Sequence, residues 1–142
     1  MNKIAVVYWS GTGNTEAMAS AVLKGIKKKG GEGKVYSCEE FSAELLKEYD
    51  GAAFGCPAMG DEVLEESEFE PLFHSCISLL AEKKIALFGS YGWGDGEWMR
   101  NWEENCKENG ISLACESVIC NEMPDEQGRK QCEELGEKLA EL

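Results

Sequence analysis

The apolar run Ile4-Ala5-Val6-Val7-Tyr8-Trp9 leads straight into Ser10-Gly11-Thr12-Gly13-Asn14-Thr15, which opens onto a helical pattern. This is a strand, a loop and a helix. Hydroxyls and an amide dominate the loop, its glycines let backbone N–H groups approach a ligand, and the helix aims its positive end at it. A phosphoryl group fits there, although the same residue types also serve as ordinary turn and N-cap residues. No Lys or Arg lies between Lys3 and Lys24, so such a phosphate would be held by hydrogen bonds and peptide dipoles, which favours retention over transfer. The nucleotide-hydrolase loop is excluded by its missing lysine. The dinucleotide fingerprint G-x-G-x-x-G is broken because Glu16 stands where its third glycine belongs. A mononucleotide site remains.

Further apolar runs read as strands at Ala52–Cys56, Ile85–Gly89 and Leu113–Cys120, with a short one near Lys34–Tyr36. Between them lie stripes of helical period: Met18, Val22 and Ile26; Phe41, Leu45 and Leu46; Phe69, Leu72, Phe73, Cys76, Ile77 and Leu80; Trp98, Trp102 and Cys106; and Cys132, Leu135, Leu139 and Leu142. Alternating strands and helices predict an α/β fold, a doubly wound five-stranded parallel sheet with helices on both faces. Ile85-Ala86-Leu87-Phe88 has no polar alternation, as a strand covered on both faces requires. Glu116 and Ser117 mark the last strand as an edge. Lys27, Lys28 and Lys29 before Gly30-Gly31 read as the cationic end of the first helix.

The length of 142 residues predicts one domain, 1–142. No apolar run is long enough to span a membrane and no export signal is evident, so a cytoplasmic protein is expected. Seven scattered cysteines without a C-x-x-C pair read as free thiols, and no metal site is expected. His74, the single histidine, has no neighbouring nucleophilic constellation. With 27 acidic and 14 basic residues the formal charge is -13, which disfavours nucleic acid. The acids concentrate at Asp61, Glu62, Glu65, Glu66, Glu68 and Glu70. Because this run adjoins a strand-end loop, it reads as a docking surface for a basic partner as well as a solvated face.

Ligands of such sheets bind beyond the carboxyl ends of the strands. Three loops there are unusual: Ser10–Thr15, Pro57-Ala58-Met59-Gly60-Asp61-Glu62, and Ser90-Tyr91-Gly92-Trp93-Gly94-Asp95-Gly96. Trp93 sits among glycines and belongs to no helical stripe, so a flat group should pack on it. Met59-Gly60-Asp61-Glu62 reads as a β-turn with two accessible conformations, since Gly60 accepts positive φ at the first central position and Asp61 tolerates it at the second. The peptide between them can turn its carbonyl either way.

Three segments carry a family resemblance: Tyr8–Glu16, Ala58–Glu62 with the acidic tract to Pro71, and Phe88–Gly94. Together they make the chain resemble the flavodoxins, of the short-chain type found in clostridia, over essentially its whole length. The resemblance implies strand order 2-1-3-4-5, bound FMN, and a low-potential one-electron carrier cycling between semiquinone and hydroquinone. It implies that Ser10, Gly11, Thr12, Gly13, Asn14 and Thr15 cradle the FMN phosphate, with Ser90 near the phosphate or ribityl chain. The ring would lie between the loops Pro57–Glu62 and Ser90–Gly94. Met59 would touch its inner face, Trp93 its outer face, and Glu62 its N3–H, with backbone near Tyr91, Gly92 and Gly94 along the pyrimidine edge. Asn121 would stand at the end of the last strand, and Gly60 and Asp61 would tune the redox state.

Electron-transfer partners would be redox enzymes with basic surfaces docking near Glu62, Glu65, Glu66, Glu68 and Glu70; no nucleic acid, no membrane and a monomer are expected. An FMN enzyme would need a substrate pocket and longer loops than these. A phosphoacceptor signalling domain would need acids and a lysine at strand ends where this chain has Trp9-Ser10, Cys56-Pro57 and Cys120-Asn121. A flavin-free binding module would require Trp93 to pack internally.

Overall fold

The structure, a computed structural model, describes residues 3–11, 13–60, 63–92 and 94–141. Thr12, Asp61, Glu62, Trp93 and Leu142, all named above, lie outside the described residues. Strands β1 (Lys3–Tyr8), β2 (Glu32–Ser37), β3 (Gly51–Gly55), β4 (Lys84–Tyr91) and β5 (Val118–Asn121) form one sheet in the order β2-β1-β3-β4-β5. Every pairing is parallel. Helices α1 (Asn14–Lys28), α2 (Ala43–Leu46), α3 (Phe69–Leu80), α4 (Glu97–Glu108) and α5 (Glu126–Ala140) cross between them.

Alternate residues of each central strand feed two separate cores, as the period of two requires. Ala5, Val7, Ala52, Phe54, Ile85 and Leu87 pack under α3 and α4 with Phe69, Phe73, Trp98 and Trp102. Ile4, Val6, Ala53, Ala86 and Phe88 pack under α1 and α5 with Met18, Val22, Ile26, Cys132, Leu135 and Leu139. In the α3 stripe Phe69, Phe73, Cys76 and Leu80 are buried, whereas Leu72 and Ile77 lie at its half-exposed margins.

Three expectations about strands are corrected. β2 runs over six residues, because its register with β1 extends from Lys3↔Glu32 to Tyr8↔Ser37. β4 continues past Gly89, since Ser90 and Tyr91 pair with Cys120 and Asn121; both residues end a strand and are not in a loop. β5 starts only at Val118. Leu113 makes an isolated bridge to Ile85, and the chain then leaves the sheet, with the Ser117 hydroxyl donating to Glu103 Oε2 of α4 at 2.6 Å.

Helices α1 and α5 meet backbone to backbone. A methyl group on Gly136 would lie 2.1 Å from the Val22 carbonyl oxygen, and one on Gly25 would lie 1.9 Å from the Glu133 carbonyl oxygen. Gly136→Ala must therefore push the helices apart and is expected to cost about 1–3 kcal/mol. A lowered midpoint in denaturant unfolding checks this; an unchanged midpoint contradicts the close packing.

Candidate functional site

The end of β1 is held in place by the Trp9 N–H, which donates to the Gly55 carbonyl at 3.0 Å. Ser10 Oγ then accepts from the Gly13 N–H at 2.9 Å and closes the loop. Gly13, at φ 93°, starts α1 in the left-handed conformation, and among the described residues no side chain caps that helix. Ser42 caps α2 and Asp125 caps α5, whereas α4 starts like α1, at left-handed Gly96 without a side-chain cap among the described residues. Of these two glycine starts, α1 is the one beside the loop at residues 10–15. The first-turn N–H groups of α1 are thus left to an external acceptor, at the positive end of a 15-residue helix. Thr15 and Ser90 are buried, and their hydroxyls share a hydrogen bond of 2.8 Å that joins α1 to the end of β4.

The segment after β3 is anchored from below. The Ala58 N–H donates to the Ser90 carbonyl at 2.9 Å, and the Met59 N–H donates to the Val63 carbonyl at 2.9 Å. Trp98 Nε1 donates to the Cys56 carbonyl at 3.1 Å. Gly60 is exposed and outside the left-handed region, and a methyl group built on it would meet nothing within 4 Å. Of the two turn conformations, the one needing positive φ at Gly60 is therefore not adopted here.

After β4, Gly94 and Gly96 take φ of 88° and 93°. The Tyr91 carbonyl accepts twice, from the Glu122 N–H at 2.8 Å and from Asn121 Nδ2 at 3.2 Å. Asn121 thus clamps the β4 end. Glu122, a non-glycine residue at φ 60°, has its carboxylate oxygen 3.4 Å from where a methyl group on Gly92 would lie.

These segments enclose a cleft of about 280 Å³ lined by Trp9, Gly11, Asn14, Pro57, Ala58, Met59, Ser90, Tyr91, Gly92 and Glu122. The lining combines an amide, a hydroxyl and glycine backbone with the rings of Trp9 and Tyr91 and the Met59 side chain. Among the described lining residues Glu122 is the one acidic side chain, and none is Lys or Arg. This donor set fits a flat cofactor ending in a phosphate. Trp9 and Glu122 belong to the lining although neither was expected there. Trp9 reads as the end of an apolar strand, and Glu122 as one more surface acid; only its place just after a strand end could have pointed to it.

Glu65 is corrected. It was expected in the docking surface, but it is buried, at 6 % exposure. Its Oε1 accepts from the Glu68 and Phe69 N–H groups at 2.7 and 2.8 Å, closing the start of α3. Its Oε2 accepts from the Ser67 N–H at 3.0 Å and from the Ser67 hydroxyl. Burial pushes this carboxyl up, but the bonds from Ser67, Phe69 and Glu68 outweigh it and hold the group below the usual range.

The family model described as flavodoxin matches residues 6–136. The chain belongs to the flavodoxin family. It is 45% identical over 137 residues to the flavodoxin of Clostridium beijerinckii, covering 96% of this chain and 99% of that one. It is 42% identical over 137 residues to the flavodoxin of Megasphaera elsdenii, covering 96% and 98%. The solution structure of two-electron reduced Megasphaera elsdenii flavodoxin superposes with a TM-score of 0.89 at 43% identity, over 96% of this chain and 98% of that one. As a flavodoxin, the chain is an electron carrier, not an enzyme; its cofactor is FMN, which cycles between semiquinone and hydroquinone.

Because the Glu65 carboxyl is held low in the fold, its contribution to stability is complete above the ordinary glutamate value near ~4.3 and is lost as pH falls through the folded value. The midpoint of thermal unfolding should fall on acidification below about pH 4.3, and Glu65→Gln should flatten that fall. Glu65→Ala, which strips the caps from Glu68 and Phe69, should cost about 1–2 kcal/mol at neutral pH. Equal acid sensitivity in wild type and Glu65→Gln would contradict the assignment.

Proposed function

We propose that FMN binds in the cleft beyond β1, β3 and β4, with its phosphate at the α1 N-terminus. The observation carrying this reading is an uncapped helix start at Gly13 beside an aromatic cleft. Ser10, Gly11, Thr12, Gly13, Asn14 and Thr15 would surround the phosphate, and Ser90 would adjoin it. Pro57, Ala58, Met59, Tyr91, Gly92, Trp93 and Gly94 would flank the ring, with Met59 and Trp93 on opposite faces, Glu62 accepting from its N3–H, and Asn121 bracing Tyr91. When bound, FMN supplies one-electron transfer at low potential.

The chain's residues do the rest by hydrogen bonding and charge. Backbone N–H groups and hydroxyls hold the phosphate without a cation, so its negative charge stays uncompensated and disfavours adding electrons nearby. The Gly60–Asp61 carbonyl can accept a hydrogen bond when the ring carries a proton on N5, and can turn away otherwise. The bond from the Met59 N–H to the Val63 carbonyl ties together the residues on either side of this peptide.

Glu66, Glu68 and Glu70 are exposed. With Glu62 they would form the surface that steers a basic redox partner, from which Glu65 is withdrawn. We infer a single domain acting in the cytoplasm as a monomer.

Anaerobic reduction after adding FMN should give two resolved one-electron potentials, and a single two-electron step would contradict the role of the turn. Gly60→Val, whose Cβ meets nothing within 4 Å and whose branching stiffens the turn, should narrow the gap by tens of millivolts with FMN still bound. Loss of one hydrogen bond of about 1 kcal/mol corresponds to about 40 mV at the one-electron scale of about 59 mV per tenfold. An unchanged gap would contradict the mechanism. Electron transfer to a basic partner should slow as salt rises, since screening acts over about 10 Å at 0.1 M; a flat salt profile would contradict docking through Glu66, Glu68 and Glu70.

A further inference from the structure

Trp9 reaches from the end of β1 into the wall of the cleft. Its ring lies against the phosphate loop: a methyl group on Gly11 would stand 3.2 Å from Trp9 Cη2 and 3.4 Å from Cζ3, so loop and ring are in contact. At its other edge the indole Nε1 donates to Glu68 Oε1 at 3.0 Å. Glu68 is the N-cap residue of α3, and its own backbone N–H is fixed by Glu65. A chain of contacts therefore runs from buried Glu65 through Glu68 and Trp9 to Gly11.

We propose that Glu68 is a positioning residue for the FMN cradle, holding the Trp9 indole by its carboxylate so that the ring backs the phosphate loop at Gly11. The proposal rests on the FMN reading above and adds a residue from the acidic tract to it. The geometry gives a reason for a carboxylate here. The indole has one N–H donor and no acceptor, so it can be oriented only by an acceptor, and a charged one forms the stronger bond. The 3₁₀ turn Cys38–Glu40 brings a second carboxyl near Glu68: Glu39 is raised first by its hydrogen bond to Glu68 and then by the charge there. Two ionised carboxylates repel, so Glu39 does not hold Glu68 in place; the Trp9 N–H is the donor that does.

The test combines a double-mutant cycle with a spectroscopic readout in the FMN-free protein. Glu68→Ala should weaken FMN binding about tenfold, the size of one charge-assisted bond, and should shift the Trp9 indole N–H resonance in ¹H–¹⁵N spectra recorded without FMN. Glu68→Gln keeps an acceptor oxygen while removing the charge, and should recover most of the affinity and the resonance position. In a Trp9→Phe background, Glu68→Ala should have no further effect on FMN affinity.

A Glu68→Ala protein with wild-type affinity would overturn the proposal, as would equal loss in Glu68→Gln and Glu68→Ala, or additive losses in the cycle. Should Glu68→Ala prove too unstable to titrate, Glu68→Leu, which keeps the side-chain bulk and removes the acceptor, takes its place in the same cycle, and a loss that persists in the Trp9→Phe background would overturn the proposal. Failure of the wild-type protein itself to bind FMN would instead remove the reading on which the proposal rests, while the indole resonance would still report whether Glu68 holds Trp9.

Discussion

A parallel sheet whose middle strands are apolar on both faces can present polar chemistry only where those strands end, and β1, β3 and β4 are such strands. Ile4, Ala5, Val6 and Val7 in β1 are fully buried, as are Ala52, Ala53 and Phe54 in β3 and Ile85 through Phe88 in β4. The strand ends must then be tied together without exposing the cores. The Thr15–Ser90 hydroxyl pair, the Ala58–Ser90 backbone bond and the Trp98–Cys56 bond do this. Ser90 takes part in two of them. The residue that resemblance assigns to the ligand thus also ties α1 to β4 through its hydroxyl and the segment after β3 to β4 through its carbonyl.

The same economy of polar groups explains the thiols. Cys56, Cys76, Cys106 and Cys132 are fully buried, and Cys38 and Cys120 nearly so, where they act as small apolar side chains with a weak donor. Burial pushes Cys38 and Cys106 each up to about 11, so these thiols stay protonated and unreactive at neutral pH. Cys56 also accepts the Glu65 N–H at 3.3 Å, linking the end of β3 to the segment leading into α3. Cys120 and Cys132 hydrogen-bond to each other across the β5–α5 contact.

The alternation of strands and helices, the helical stripes and the strand–loop–helix start were legible in the sequence because each rests on a local signal: apolar runs, the 3.6-residue period, and glycines with hydroxyls after a strand; the strand order came from the resemblance. What was hidden depended on contacts between distant residues. Glu65 sits in a run of acids that looks uniformly solvated, and only the fold turns it inward onto the start of α3. Ser90 and Tyr91 follow a glycine and look like loop, yet pairing with Cys120 and Asn121 keeps them in β4. The start of β5 was misread because Leu113 through Ser117 are apolar enough for a strand, while the Ser117–Glu103 bond draws the chain to α4. Trp9 and Glu122 enter the cleft wall through packing, which no periodicity reports.

A phosphate held by dipoles and hydroxyls, inside a chain of charge -13, is the central claim. It separates this site from cation-lined phosphate sites in one respect: salt screens repulsion here and would screen attraction there. The direct test is the FMN dissociation constant measured from low to high sodium chloride. Binding that holds steady or tightens as salt rises is the predicted result. Binding that weakens steeply with salt would show that a Lys or Arg side chain carries the phosphate and would contradict the account.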